Sequence, residues 1–197
     1  MIKRTIGIDF SIRAPGIVIH DGETWDGKNC QFHFINPPKG SKKFDGFLHV
    51  APFIQGQAYP EYKTEEERFE KLTENIMNLF ELSVPLDKVD LAIEGYAMGA
   101  RGKVFNIGEA TGLLKNKLWM QDCKFSIYAP TAVKKFATGK GTAKKEQMIE
   151  AFTAETGINF TEILGLKSIK GGPISDIVDA YWICKMKFFN GEPPDVC

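Results

Sequence analysis

Apolar and polar positions alternate over residues 3–10 and again over 16–20, which is the two-residue period of strands. Between them Arg13-Ala14-Pro15-Gly16 carries turn chemistry, so a hairpin is expected to open the fold. A third alternation at 31–35 predicts another antiparallel strand. Asn36-Pro37-Pro38-Lys39-Gly40 then breaks regular structure, and 38–62 reads as an irregular excursion. Thr64 followed by Glu67 is a capping-box pattern, and Phe69, Leu72, Ile76, Leu79 and Phe80 recur at helical spacing, predicting an amphipathic helix over 64–82. A short apolar strand is expected at 89–94, a helix at 105–119 and a strand at 124–129. Pro130 suits the first turn of a short helix, 139–142 interrupts it, and 143–156 continues as a helix with apolar Met148, Ile149 and Phe152. A last helix begins near Ser175. This order predicts an α/β fold, a mixed sheet with helices against it, in one domain spanning 1–197 with an irregular insertion around 36–62.

Composition narrows the picture. A chain of 197 residues that is 43% apolar and 12% aromatic has the material for a packed core, which excludes disorder as its main state. No apolar run approaches the roughly 20 residues that span a bilayer, and the opening residues lead into a strand rather than a signal sequence, so a soluble cytoplasmic protein with no membrane partner is expected. Cys30, Cys123, Cys184 and Cys197 are far apart and form no Cys-x-x-Cys pair, which favours reduced thiols over a zinc site. The net charge of zero is unevenly divided: residues 95–148 carry +7 and residues 61–94 carry −6. A basic half in a neutral protein is the pattern of a nucleic-acid surface, although Lys-rich helix faces are usually only solvated.

Four carboxylates sit where three elements can bring them together. Asp9 follows Ile6 and Ile8 in the first strand, Glu94 ends Leu91-Ala92-Ile93, and Asp176 and Asp179 share one face near the start of the last helix. Each has a bland explanation alone: a strand-end residue bonding to a turn, or first-turn helix stabilisation. Two strand-end acids and a helical pair together favour a metal site, because clustered carboxylates are costly to bury without a cation. Hard oxygen donors suit Mg²⁺, with Mn²⁺ as a substitute. Two such ions about 3.5–4 Å apart activate water and stabilise the leaving oxygen in phosphodiester hydrolysis. His20, His33 and His49 are expected to be surface or structural side chains.

Thr5-Ile6-Gly7-Ile8-Asp9-Phe10-Ser11, Leu91-Ala92-Ile93-Glu94 and Asp176-Ile177-Val178-Asp179-Ala180 resemble, in order, the motifs of the RuvC-type Holliday junction resolvases of the RNase H-like (retroviral integrase) superfamily. The segments 129–135 and 138–147 resemble the family's basic region. The resemblance implies a mixed five-stranded sheet flanked by helices, with Asp9, Glu94, Asp176 and Asp179 as metal ligands and catalytic residues. It implies a homodimer that nicks four-way or other branched DNA symmetrically, and DNA contacts from Lys134 and Lys145. Lys140 and Lys144 in the same segment, Arg101 and Lys103 in the loop after Glu94, and Tyr96 near the position of a junction-wedging aromatic complete the expected DNA surface. Residues 22–62 are longer than in compact bacterial members, as in a phage or viral one. Gly108 and Gly112, one turn apart, suit either a dimer interface or packing on the protein's own sheet.

Two other readings compete. Sugar kinases and actin-like ATPases also begin with a Gly-Ile-Asp strand, but they need a second similar domain, for which 197 residues leave little room. A non-catalytic branched-DNA-binding module keeps the fold without the chemistry, and the presence of all four acids argues against it.

Overall fold

In the computed structural model, which describes residues 3–37, 49–80, 88–96, 104–166 and 173–190, the opening hairpin forms as the alternation predicts. Strand β1 (Arg4–Asp9) pairs antiparallel with β2 (Gly16–Asp21), and β2 pairs antiparallel with β3 (Cys30–Ile35). On its other side β1 pairs parallel with β6 (Val89–Glu94), which pairs parallel with β7 (Phe125–Tyr128). These five strands are the mixed sheet that the resemblance implies.

The 38–62 segment departs from expectation. Residues 38–48 lie outside the described residues, but β4 (His49–Ala51) and β5 (Ile54–Gln57) extend the sheet rather than leaving it irregular. The sheet therefore has seven strands in the order β4-β5-β3-β2-β1-β6-β7. The turn between β4 and β5 is short and β5 runs parallel to β3, so a sequence with only three or four residues per strand shows too brief an alternation to read.

Both faces of the sheet are covered. Helices α1 (Glu65–Phe80) and α2 (Val104–Met120) bury Phe69, Leu72, Ile76, Leu114 and Leu118 against Ile6, Ile8, Leu91 and Ile93. On the opposite face lie α3 (Pro130–Thr138), α4 (Lys145–Thr156), the single turn α5 (Phe160–Ile163) and α6 (Pro173–Phe188). Gly139 and Gly157 end α3 and α4 in the left-handed conformation, with φ of 76° and 71°.

Helix α6 is apolar almost all round and fully buried along most of its length, and it lies directly on β1. Glycine makes that approach possible. A Cβ on Gly7 would run into the carbonyl of Ala180 and the backbone of Cys184, and one on Gly16 into the carbonyl of Asp176. The N-terminal turn of α6 is thereby seated beside the end of β1. Cys30, Cys123 and Cys184 are buried free thiols, and burial pushes all three up, so none is a reactive thiolate. Among the described residues no helix is long and apolar enough to cross a membrane.

Candidate active site

Asp9 and Glu94 are the last residues of two adjacent parallel strands, one position beyond the paired Ile8 and Ile93. Side chains alternate across a strand, so with Ile6, Ile8, Leu91 and Ile93 committed to the α1–α2 face, Asp9 and Glu94 take the parity of Gly7 and Ala92, toward α6. On α6, Asp176 lies in the first turn and Asp179 one turn later, and these two half-buried residues interrupt the buried first half of the helix. Its positive end favours negative charge there.

The four acids sense one another. Burial raises Asp9 well above the usual carboxylate range, and the charges of Glu94, Asp176 and Asp179 raise it further. Glu94 is pushed up to about 7 by burial first and then by Asp179. Asp179 is pushed up to about 6, again by burial first, with Asp176 adding to it. Asp176 is also raised by burial, while Lys145 and the Ser175 hydroxyl hold it back. The two strand acids and the helical pair thus form one electrostatic group.

They do not form a closed ligand cage. Among the described residues no three His, Cys, Asp or Glu side chains converge tightly enough to hold a metal ion unaided. Like-charged carboxylates spread apart when no cation lies between them, and a Mg²⁺ ion that keeps several waters needs only one or two carboxylates directly. The donor set fits such an ion. Every candidate ligand is a hard carboxylate oxygen, each sits in surroundings that penalise its own charge, and no histidine or thiol is among them. His20 is buried elsewhere, stacked on Trp25 with ring centres 4.6 Å apart, and burial pushes His33 down to about 4.

Two lysines face this group. Lys145, the first residue of α4, places its Nζ 3.0 Å from Ser175 Oγ and 3.7 Å from Asp176 Oδ1, and Ser175 Oγ donates to Asp176 Oδ1 at 3.0 Å. Lys134 on α3 lowers both Glu94 and Asp179 through its charge. Lys140 and Lys144 are exposed on the segment joining α3 to α4. Tyr96 is 47% exposed and leans on α2, its hydroxyl 3.4 Å from the Gly108 carbonyl and Lys115 Nζ 4.6 Å from its ring centre. Arg101 and Lys103 lie outside the described residues. A cleft of about 190 Å³ opens between the ends of β1 and β6 and the start of α2, bounded by Asp9, Glu94, Tyr96, Val104 and Ile107.

A family model described as crossover junction endodeoxyribonuclease RuvC matches residues 60–165 of this chain. Sequences with that description from three strains of Helicobacter pylori are 35% identical to it over 113 residues, which is 55% of this chain and 68% of theirs. The chain belongs to the RuvC family. Its fold agrees with that of a Thermus thermophilus RuvC structure at a TM-score of 0.55 and 16% identity, covering 95% of each chain. The T. thermophilus RuvC solved in complex with a Holliday junction substrate matches at a TM-score of 0.55 and 18% identity, covering 96% of this chain and 95% of that one. The stretch matched by the RuvC family model contains Glu94, Tyr96 and the α3–α4 lysines but not Asp9, Asp176 or Asp179.

The sequence missed two features of this RuvC-family site. Ser175, taken only as the start of a helix, links Lys145 to Asp176; a hydroxyl just before the first acid of Asp-x-x-Asp was the available signal. Arg68, hidden among the acids of α1, is buried beside the turn that follows Asp9, and nothing in the helical period marks it.

Proposed function

We propose that this protein is a divalent-metal-dependent endonuclease that cleaves four-way DNA junctions, and by extension other branched DNA, acting in the cytoplasm of the cell that holds that DNA. The observation that carries the proposal is the single electrostatic group made by Asp9, Glu94, Asp176 and Asp179 at the ends of two parallel strands, with Lys134 and Lys145 facing it. The family membership supports the substrate class. Residues 1–197 act as one nuclease domain, with β4 and β5 of its 36–62 insertion widening the sheet.

Asp9, Glu94, Asp176 and Asp179 would hold the cations, Mg²⁺ or Mn²⁺, directly or through water. When bound, such ions polarise a phosphoryl oxygen and generate a strong nucleophile from water near neutral pH. The protein's own groups do the rest. Glu94 gives up its proton as the pH rises past about 7 and Asp179 past about 6, which readies them for a cation. Lys134 and Lys145 place positive charge where the scissile phosphate must approach four acids, reducing its repulsion. Exposed Lys140 and Lys144 extend the contact along the backbone, Arg101 and Lys103, which follow Glu94 in the sequence, add to it, and Tyr96 offers a face to an unstacked base.

A four-way junction has two equivalent strands to cut, so the active unit is a two-fold homodimer. Its interface runs along α2, where Phe105, Gly108, Gly112 and Trp119 recur on one face. Phe105 is 84% and Trp119 72% exposed, and a Cβ on either glycine would meet nothing within 4 Å, so this face does not pack on the protein's own sheet.

Asp9→Asn tests the assignment. With a synthetic four-way junction and Mg²⁺, the variant is expected to lose at least about 10³-fold in cleavage rate while its junction affinity, measured in Ca²⁺, stays within about threefold. Cutting at the wild-type rate by Asp9→Asn would remove the catalytic role. Failure of the wild type to cut any branched substrate, despite binding it, would leave a junction-binding module instead.

A further inference from the structure

Arg68 is 4% exposed, in the first half of a helix whose other charged side chains face solvent or its edge. Its guanidinium uses all three nitrogens. Nη2 donates to the Ile12 carbonyl at 2.6 Å, Nε donates to the Tyr59 hydroxyl at 2.6 Å, and Nη1 meets the Glu65 carboxylate at 3.2 Å. The Tyr59 hydroxyl in turn donates to the same Ile12 carbonyl at 2.7 Å. Two side chains from outside the turn therefore converge on one carbonyl three residues after Asp9.

That turn runs from Asp9, at the end of β1, to Gly16, at the start of β2. Ser11 N–H donates back to the Asp9 carbonyl at 3.2 Å, and Ser11 Oγ accepts from Ala14 N–H at 2.9 Å. At its far end Gly16 lies against the backbone of Asp176. Glu65, on the other side of Arg68, accepts from Asn106 Nδ2 at 3.2 Å, which ties the same cluster to the first turn of α2 and the wall of the cleft. A buried arginine is costly unless every donor is used, and mere attachment of α1 to the sheet needs no charge. The arrangement restrains the turn between Asp9 and Gly16, which packs against Asp176.

We infer that Arg68 and Tyr59 are positioning residues that hold the turn after Asp9 so that Asp9 and Asp176 meet a divalent cation at the right separation. The inference rests on the proposed nuclease reading for its meaning, but its test does not depend on cleavage. Groups that orient metal ligands from behind commonly change metal affinity by 10–100-fold.

The experiment titrates Mn²⁺ alone into the full-length wild type, Tyr59→Phe, Arg68→Lys and Arg68→Met by calorimetry, well below each variant's unfolding temperature. Mg²⁺-dependence of junction cleavage and junction affinity without metal are measured alongside. Tyr59→Phe, which deletes one hydroxyl and keeps the ring, is expected to weaken Mn²⁺ binding about tenfold and to raise the Mg²⁺ needed for half-maximal cleavage by a similar factor. Arg68→Met is expected to weaken Mn²⁺ binding more, Arg68→Lys to recover part of it, and junction affinity to stay within about twofold in all. If Arg68→Met does not fold, Tyr59→Phe and Arg68→Lys decide the matter. Unchanged Mn²⁺ affinity in these two, with only a lower unfolding temperature, overturns the inference, as does absence of Mn²⁺ binding by the wild type. A wild type that binds Mn²⁺ but cuts nothing defeats the nuclease reading alone, and the Mn²⁺ titrations still decide the positioning role.

Discussion

Ser175 stands between a cation and an anion, accepting from Lys145 and donating to Asp176, each at 3.0 Å. A hydrogen bond donated to a carboxylate stabilises its charged form, so the hydroxyl lowers Asp176 against the upward push of burial. Ser175→Ala should therefore raise Asp176, and the acidic limb of the cleavage rate against pH should move to higher pH, with a larger loss of rate at pH 6 than at pH 9. A limb that stays in place would show that Ser175 only packs. At this scale the sequence is informative where a residue's type is unusual for its surroundings. Asp9 and Glu94 end apolar strands and so declare themselves. Ser175 and Arg68 do not, because serine at a helix start and arginine among glutamates are ordinary, and only their partners make them special.

Elements place these residues through simple periodicities. The two-residue period of β1 and β6 sends their terminal acids to the α6 face, and the helical period puts Asp176 and Asp179 on the side of α6 that meets them. Both periods are visible in the sequence, which is why the site is legible at this level. The strands β4 and β5 are not, since each is too short to show a period and their pairing with β3 is decided by contacts distant along the chain. Helix α2 carries a partly legible signal, Gly108 and Gly112 one turn apart, which the structure extends to a stripe with exposed Phe105 and Trp119. Its proposed two-fold contact predicts that the wild type sediments as a dimer at micromolar concentration. Phe105→Glu should shift it to monomer while changing stability by less than about 0.5 kcal/mol, because the side chain is already exposed. A monomeric wild type, or a dimeric variant, would place the interface elsewhere.

Over the whole molecule the acidic group stores repulsion, and the sign of its pH dependence follows. Glu94 and Asp179 titrate at about 7 and about 6 in the folded protein, above the values they have once unfolded and solvated. A group raised on folding stabilises the fold below its unfolded value and loses that contribution as the pH rises through its folded one. Without metal, unfolding free energy should therefore fall by on the order of 5 kcal/mol between pH 4 and pH 8, before other groups are counted. Asp179→Asn should reduce that slope and raise the unfolding temperature at pH 8, and millimolar Mg²⁺ should do the same for the wild type by screening the repulsion. Denaturant titrations across this range provide the check; a metal-free protein that is most stable at pH 8 would contradict the burial of these acids.

By itself the sequence determined the alternating strands, the amphipathic α1, the order of the acidic motifs and the separation of charge along the chain. These are local patterns, set by which side chains can be buried at a given period. The tertiary structure alone decided that α6 lies close enough to β1 to join acids about 170 residues apart, through the bare backbone at Gly7 and Gly16. It also decided that Lys145 turns toward those acids and that Arg68 is buried under the turn that follows Asp9. Such facts depend on close packing and on the pairing of buried charges, which are properties of neighbours in space and leave no period in the chain.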